Sequence, residues 1–314
     1  MALVRPNIDQ TNIILMLLSL GVAYAIPFEL VLISYAFLGP AHYLTEISWL
    51  HDRSYFTNTK WVWVPLLIIA VLISALGWNR QGDPLIIFIA MAIAIALSVG
   101  LVVAQTRARQ IAAVGIIAAF LIACRSFYPD FGIALAILLP TVFHIYVFTG
   151  LFILSGALKN NSKWGYASVI TFLFCGAFFI FVAPSTTMIS TDFVDQNLGN
   201  FDNLVDYVVY LVSMEGRLNS HAVLAFLSFA YTYHYLNWFS KTEIIKWHLI
   251  PRKRLAVIIA LYLISIGIYL IDFKTGFLVL SFLSLTHVVL EFPLNAVSVR
   301  MIGQSLSKRL SIPS

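Results

Sequence analysis

Charged residues are scarce in this chain. Asp, Glu, Lys and Arg together make up 11% of its 314 residues, where an ordinary soluble domain carries about 25%. So few charges cannot dress a water-facing surface. That excludes an ordinary soluble domain and leaves lipid as the main solvent. Cysteine is nearly absent as well. Cys124 and Cys175 both lie inside apolar runs, where they read as small buried hydrophobes and exclude a disulfide framework. No P-loop, no CxxCH haem-attachment motif and no HExxH zinc motif occurs, so the commonest nucleotide and metalloprotease signatures are missing. No internal repeat stands out.

What the chain has in abundance is hydrocarbon, with 61% of its residues hydrophobic. Residues 84–105 run without a charge, Asp83 standing just outside, and about 20 apolar residues span the hydrocarbon core as a helix. Lipid offers backbone groups no partners, which favours helices over open strands. The sequence therefore predicts an all-α, polytopic bundle of about ten spans forming a single integral membrane domain over residues 1–314. The spans fall at 12–27, 28–50, 61–78, 84–105, 109–127, 131–157, 164–183, 217–240, 254–271 and 275–299. The first run is followed by no cleavage site and is read as a retained span.

Charge tests the count. With ten alternating spans, one side holds Arg5, Arg53, Lys60, Arg107, Arg109, Lys159, Lys163, Lys241, Lys246, Arg252, Lys253, Arg254, Arg300, Lys308 and Arg309. The other holds only Arg80, Arg125, Arg217 and Lys274. Lys and Arg collect on the cytoplasmic side, so both termini are expected there, in a bacterial inner or plasma membrane. The net charge of +5 is thereby explained by topology, and nucleic acid is not an expected partner. One long loop, about 184–216, falls on the opposite side and carries Asp192, Asp195, Asp202, Asp206 and Glu215. It reads as a solvated acidic loop, with a lid as the alternative. Its segment NLVDYVVYLV has the composition of a surface helix.

Ionisable residues within spans are costly in lipid and mark candidate functional sites. Here they are His and Glu. His42 and Glu46 lie on span two, and His287 and Glu291 lie on span ten. Each pair is spaced i, i+4 and so projects from one helix face, and Asn295 continues the second stripe. His144 lies on span six, and His221 and His234 lie on span eight. Spans two, six, eight and ten run the same way, which sets His42, His144, His234 and His287 at similar depth. Glu46 and Glu291 sit one turn deeper, and His221 sits near the outer end. Imidazoles suit iron, zinc and copper, and carboxylates one turn away can ligate or can orient an imidazole N–H. The expected metal ligands are His42, His144, His234, His287, Glu46, Glu291 and His221. Glu46 and Glu291 are also candidates to move protons. A polar contact between helices, with no metal, is the alternative for each. His51 and His248 fall at the headgroup level. Gly39-Pro40, just ahead of His42, is expected to break span two. Tyr231, Tyr233 and Tyr235 surround His234 in sequence, as packing residues or as part of the site.

Chain length, span number and scattered membrane histidines resemble the Brp/Blh type of bacterial β-carotene 15,15′-dioxygenase. That family's early Pro-His-Gly motif is not matched. The nearest stretch, Gly39-Pro40-Ala41-His42, departs after the histidine. The resemblance implies an iron ion on His42, His144, His234 and His287; retinal formation does not follow from it. The clustered HxxxH and HxxHH boxes of membrane desaturases and hydroxylases are not present.

The leading expectation is a membrane-embedded, metal-dependent oxygenase or related oxidoreductase. Iron is the first candidate, with zinc or copper as alternatives, and the substrate is a lipophilic small molecule. A proton- or ion-coupled transporter is the second reading, since intramembrane His and Glu also serve as proton relays. A haem- or quinone-binding membrane protein is the third. A partner subunit or a homo-oligomer would be compatible with any of them.

Overall fold

The computed structural model describes residues 7–57, 61–78, 84–104, 106–128, 131–182, 209, 220–246 and 249–310. Its regular structure is helical, with no strand among the described residues. Eight helices are long and apolar enough to cross a membrane, so the chain reads as a multi-pass membrane protein. Each of the ten expected spans has a helix. Two fall short of the same measure for different reasons. Trp63–Leu76 is apolar but short. Ser220–Ser240 has 21 residues, but its sequence SHAVLAFLSFAYTYHYLNWFS carries the polar groups of an interior helix. The expected acidic loop at 184–216, with its surface helix, lies outside the described residues apart from residue 209.

Helix α1 is Ile8–Ala25. Its start is set by Asn7, whose side chain accepts from the Asp9 N–H while Gln10 reaches back to the Asn7 N–H, which satisfies two end donors at once. Pro27 opens α2, Pro27–Ile33, where its missing N–H costs nothing. The expected break at Gly39-Pro40 takes another form. A π-helical segment, Ser34–Leu38, leads without interruption into α3, Gly39–Asp52. The Gly39 N–H bonds to the Ser34 carbonyl, five residues back. Pro40 cannot donate to the carbonyl four residues before it, and a widened turn absorbs the mismatch without ending the helix. Beyond α3 the chain turns through Ser54, Tyr55 and Phe56, all with φ between 48° and 56°.

Helices α4 (Trp63–Trp78), α5 (Pro84–Val103) and α6 (Arg107–Phe127) follow. The same π device recurs after α7, Phe131–Leu138: the segment Leu139–Phe148 contains Pro140 and runs into α8, Thr149–Asn160. A left-handed Asn161 (φ 46°) ends α8, and the Ser162 side chain caps α9, Lys163–Phe181. After the undescribed loop come α10 (Ser220–Ser240), the short α11 (Thr242–Ile245), α12 (Arg252–Ile271) and α13 (Phe273–Leu310). Helix α13 continues well past the expected end of span ten at 299. Its last turns carry Lys308 and Arg309, and cations there suit the negative helix end. The end of the apolar run is therefore not the end of the helix.

By packing, the chain divides into two compact units, Met1–His42 with Ile145–Phe277, and Tyr43–His144 with Leu278–Ser314. The divisions fall inside continuous helices. In the first unit, α10 packs on α1, α2 and α9. Polar bonds fix the helices of this unit to one another. The Tyr233 hydroxyl donates to Asn12 Oδ1 (3.2 Å), Ser34 and Thr232 join through their hydroxyls (2.7 Å), and Ser162 donates to Asp9 (2.8 Å). Gly176 is required by close approach, since a methyl there would overlap the Tyr146 hydroxyl, which donates to the Phe172 carbonyl. In the second unit, α5 packs on α4, α6 and α7. Phe88, Ala92 and Leu121 form part of its core. Outward positions such as Ile111, Ile116, Ile170, Phe181 and Leu263 expose large apolar side chains, as lipid-facing positions do.

Candidate metal centre

Four buried imidazoles, from His42, His144, His234 and His287, each offer a ring nitrogen, and these atoms all lie within 4.8 Å of one another. Each is placed by its own helix. His42 stands on the first turn of α3, directly after the π segment. His144 stands inside the second π segment. His234 lies on α10 between neighbours already fixed by the Asn12 and Ser34 bonds. His287 lies within the part of α13 that is buried on all sides, residues 286–293.

Within the first unit, His234 Nε2 lies 3.0 Å from His42 Nε2. The other nitrogen of His234, Nδ1, is hydrogen-bonded to Thr149 Oγ1 at 2.8 Å. Tyr235 and Trp238 flank His42, with ring centroids at 5.1 and 5.5 Å. Within the second unit, His144 Nε2 lies 2.9 Å from His287 Nε2. Here too the outer nitrogen turns away: His144 Nδ1 lies 3.0 Å from Glu291 Oε2. Tyr43 stacks on His287 at 4.2 Å between centroids, 23° between planes. In both pairs the Nε2 atoms face each other, and one member's Nδ1 is turned to an oxygen.

This arrangement has a chemical consequence. Where Nδ1 of an imidazole carries the proton, Nε2 is left with a lone pair. Lone pairs this close repel unless a proton or a cation lies among them. Ring nitrogens converging from separate helices, with an oxygen acceptor behind, are the usual donor set of a histidine metal site. The residues present therefore fit a metal ion.

The other sequence candidates are placed differently. Glu291 stands behind His144, as an outer partner of that ring. Glu46 is buried at 2% exposure, one turn past His42 on α3. Neither carboxylate belongs to the group of converging ligand atoms. His221 is half-buried in the first turn of α10, 13 residues and so about 20 Å along the helix from His234. It is not part of the group. The exposed His51 has its Nδ1 3.4 Å from the Tyr55 hydroxyl, a phenol that burial pushes up to about 12. Arg53 lies over the Trp49 ring at 4.0 Å, and burial lowers its pKa. His248 lies outside the described residues. Tyr231, Tyr233 and Tyr235 divide by face: Tyr233 ties to α1, whereas Tyr235 and Tyr231 adjoin each other at 6.1 Å.

Two functional candidates escaped the sequence. Thr149 is one of many threonines in an apolar run, and nothing in spacing singles it out. Tyr43 adjoins His42 in sequence yet stacks on His287. The one available signal was proline: Pro40 and Pro140 each lie two or four residues ahead of a histidine, and both accompany π segments, which gather at functional sites.

Fold and site together define the class: a polytopic helical protein with a buried four-histidine group. Comparison with protein-family models, with curated proteins and with solved structures returns no match for this chain.

Proposed function

We propose that this protein is a membrane-embedded metalloenzyme, an oxygenase or related oxidoreductase acting on a lipophilic small molecule. His42, His144, His234 and His287 hold one metal ion, iron in the first instance. The observation that carries the reading is the ring orientation: Nε2 atoms face one another at 2.9 and 3.0 Å, while Nδ1 of His144 and of His234 meets an oxygen. Bound iron would supply one-electron and oxygen chemistry, and imidazole ligands suit it.

The chain's own residues supply the rest. Glu291 holds the Nδ1 proton of His144, and Thr149 fixes the ring plane of His234. Tyr43 packs flat on His287 and keeps it from rotating. A divalent cation among neutral imidazoles adds two positive charges to a dry site, where unpaired charge is costly. Glu291 and Glu46, both buried, supply two negative ones. Burial of the four rings keeps the site in the phase that dissolves its substrate. The protein is expected in a bacterial inner or plasma membrane with both termini cytoplasmic.

Neither histidine pair leaves room for a porphyrin plane between its members, which favours a bare ion over haem. Elemental analysis of purified protein tests the proposal, with His42→Ala and His287→Ala as comparisons. Near-stoichiometric iron, lost in both variants, is the expected result. Zinc or copper in its place would keep the centre and replace the chemistry. Metal-free protein overturns the reading, and pH-gradient-driven uptake by metal-free proteoliposomes would put the transporter in its place.

A further inference from the structure

Helix α13 carries more polar side chains than the histidine group uses. His287, Glu291, Asn295 and Ser298 are spaced i, i+4, i+8 and i+11 and so lie along one face, about 16 Å of helix. All four are buried. Asn295, 3% exposed, has neither its amide nitrogen nor its amide oxygen bonded to any described residue. Elsewhere in the same unit the Ser98 hydroxyl on α5 and the Ser48 hydroxyl on α3 are buried and in the same condition. Arg300, exposed near the basic end of α13, donates to the Val102 carbonyl of α5 at 3.0 Å, and Ser98 stands one turn back along α5.

Buried amides and hydroxyls are almost always hydrogen-bonded, and where protein supplies no partner, ordered water does. An asparagine offers two donors and an acceptor oxygen, and a dry hydrocarbon packing would leave all of them unmet. The stripe does not end blindly. It runs from Glu291, beside His144, through the unpartnered Asn295 amide to Ser298, and Arg300 beyond it is exposed. A buried polar stripe with an unpartnered amide in its middle, running from a site toward the exposed end of its helix, is the lining of a hydrated passage.

We propose that Asn295 and Ser298 line a file of water connecting Glu291 with the aqueous phase at the C-terminal end of α13. The ligand of this site is water itself. The passage gives a site enclosed by lipid-facing helices its exchange of water and protons with the solvent. It rests on the orphaned atoms and holds whichever ion the histidines bind.

Cysteine accessibility in the full-length protein tests it. In a Cys124→Ser, Cys175→Ala background, single cysteines are placed by Asn295→Cys, Ser298→Cys and, on the opposite face of α13, Val289→Cys. Membranes are treated with a membrane-impermeant quaternary-ammonium methanethiosulfonate on the side of the α13 C-terminus. Labelling at 295 and 298, with none at 289, is the expected result. Where the Asn295 variant fails to fold, the Ser298 variant, which exchanges only oxygen for sulfur, carries the test. Protection of 298 from the charged reagent overturns the proposal. So does labelling of 289 as complete as that of 298, and so does reaction with a lipid-soluble maleimide alone. The readout is independent of metal content and activity, so its failure leaves the metal centre standing, and loss of the metal reading leaves this result standing.

Discussion

The two histidine pairs are alike in geometry and unlike in what stands behind them. His42 and His234 meet Nε2 to Nε2 at 3.0 Å, and a neutral hydroxyl, Thr149, backs the outer nitrogen. His144 and His287 meet in the same way at 2.9 Å, but a carboxylate, Glu291, backs theirs. A hydroxyl both donates and accepts, so it tolerates either tautomer of His234. A carboxylate that is ionised only accepts, so it suits only a ring with its proton on the nitrogen that faces it. The pairs thus differ in the chemistry of the group behind them.

The comparison can be broken by mutation. The largest effect is expected from His287→Ala, which removes a member of the carboxylate-backed pair: metal measured by elemental analysis falls to background while the protein keeps its elution position on size exclusion. Retention of full metal content would show that the ion lies elsewhere. Next comes Glu291→Gln, which preserves shape but removes the carboxylate that stands behind His144. Loss of an outer partner of this kind lowers metal affinity by about 10–100-fold, measurable by competition with a chelator. Thr149→Val should act in the same direction and more weakly, because the hydroxyl orders the ring without fixing its proton. A Thr149 variant that loses more metal than the Glu291 variant would reverse the assignment of the two roles.

The smallest effect sharpens the comparison from outside it. Asp272, exposed between α12 and α13, accepts from the Thr275 N–H at 2.7 Å, and bonds to Thr275 hold its carboxyl below the usual range. A lowered folded-state pKa means that the charged form stabilises the fold. That contribution is present above the ordinary carboxylate pKa and is lost as pH falls through the lowered value. Asp272→Asn should therefore flatten the acid side of the thermal-stability profile slightly and leave metal content unchanged. A change in metal content would show that the metal responds to general loosening of the bundle and not to the two histidine pairs.

His42, His144, His234 and His287 were legible as candidates because an imidazole in an apolar helix stands out against its neighbours. Glu291 was legible through its i, i+4 spacing, but only packing shows it behind His144 and outside the converging nitrogens. His221 looked equivalent to His234 by residue type and shares its helix, yet 13 residues of rise separate them. Spacing along one helix states a distance on that helix and nothing about what a second helix brings near. Thr149 and Tyr43 were invisible for that reason, since their roles exist only relative to rings on other helices. Gly39-Pro40 was read as a break, whereas the backbone absorbs the missing donor in a π turn and continues, as it does at Pro140.

Sequence alone determined the helical class, the membrane-spanning character of its helices and the chemical type of the side chains at the site. Those follow from composition and from the cost of exposed backbone and charge in hydrocarbon, which are local and additive along the chain. Tertiary structure decided which nitrogens converge, which oxygens stand behind them and which polar atoms are left for water. Those are properties of contacts between helices distant in sequence, set by packing that no run of residues encodes by itself.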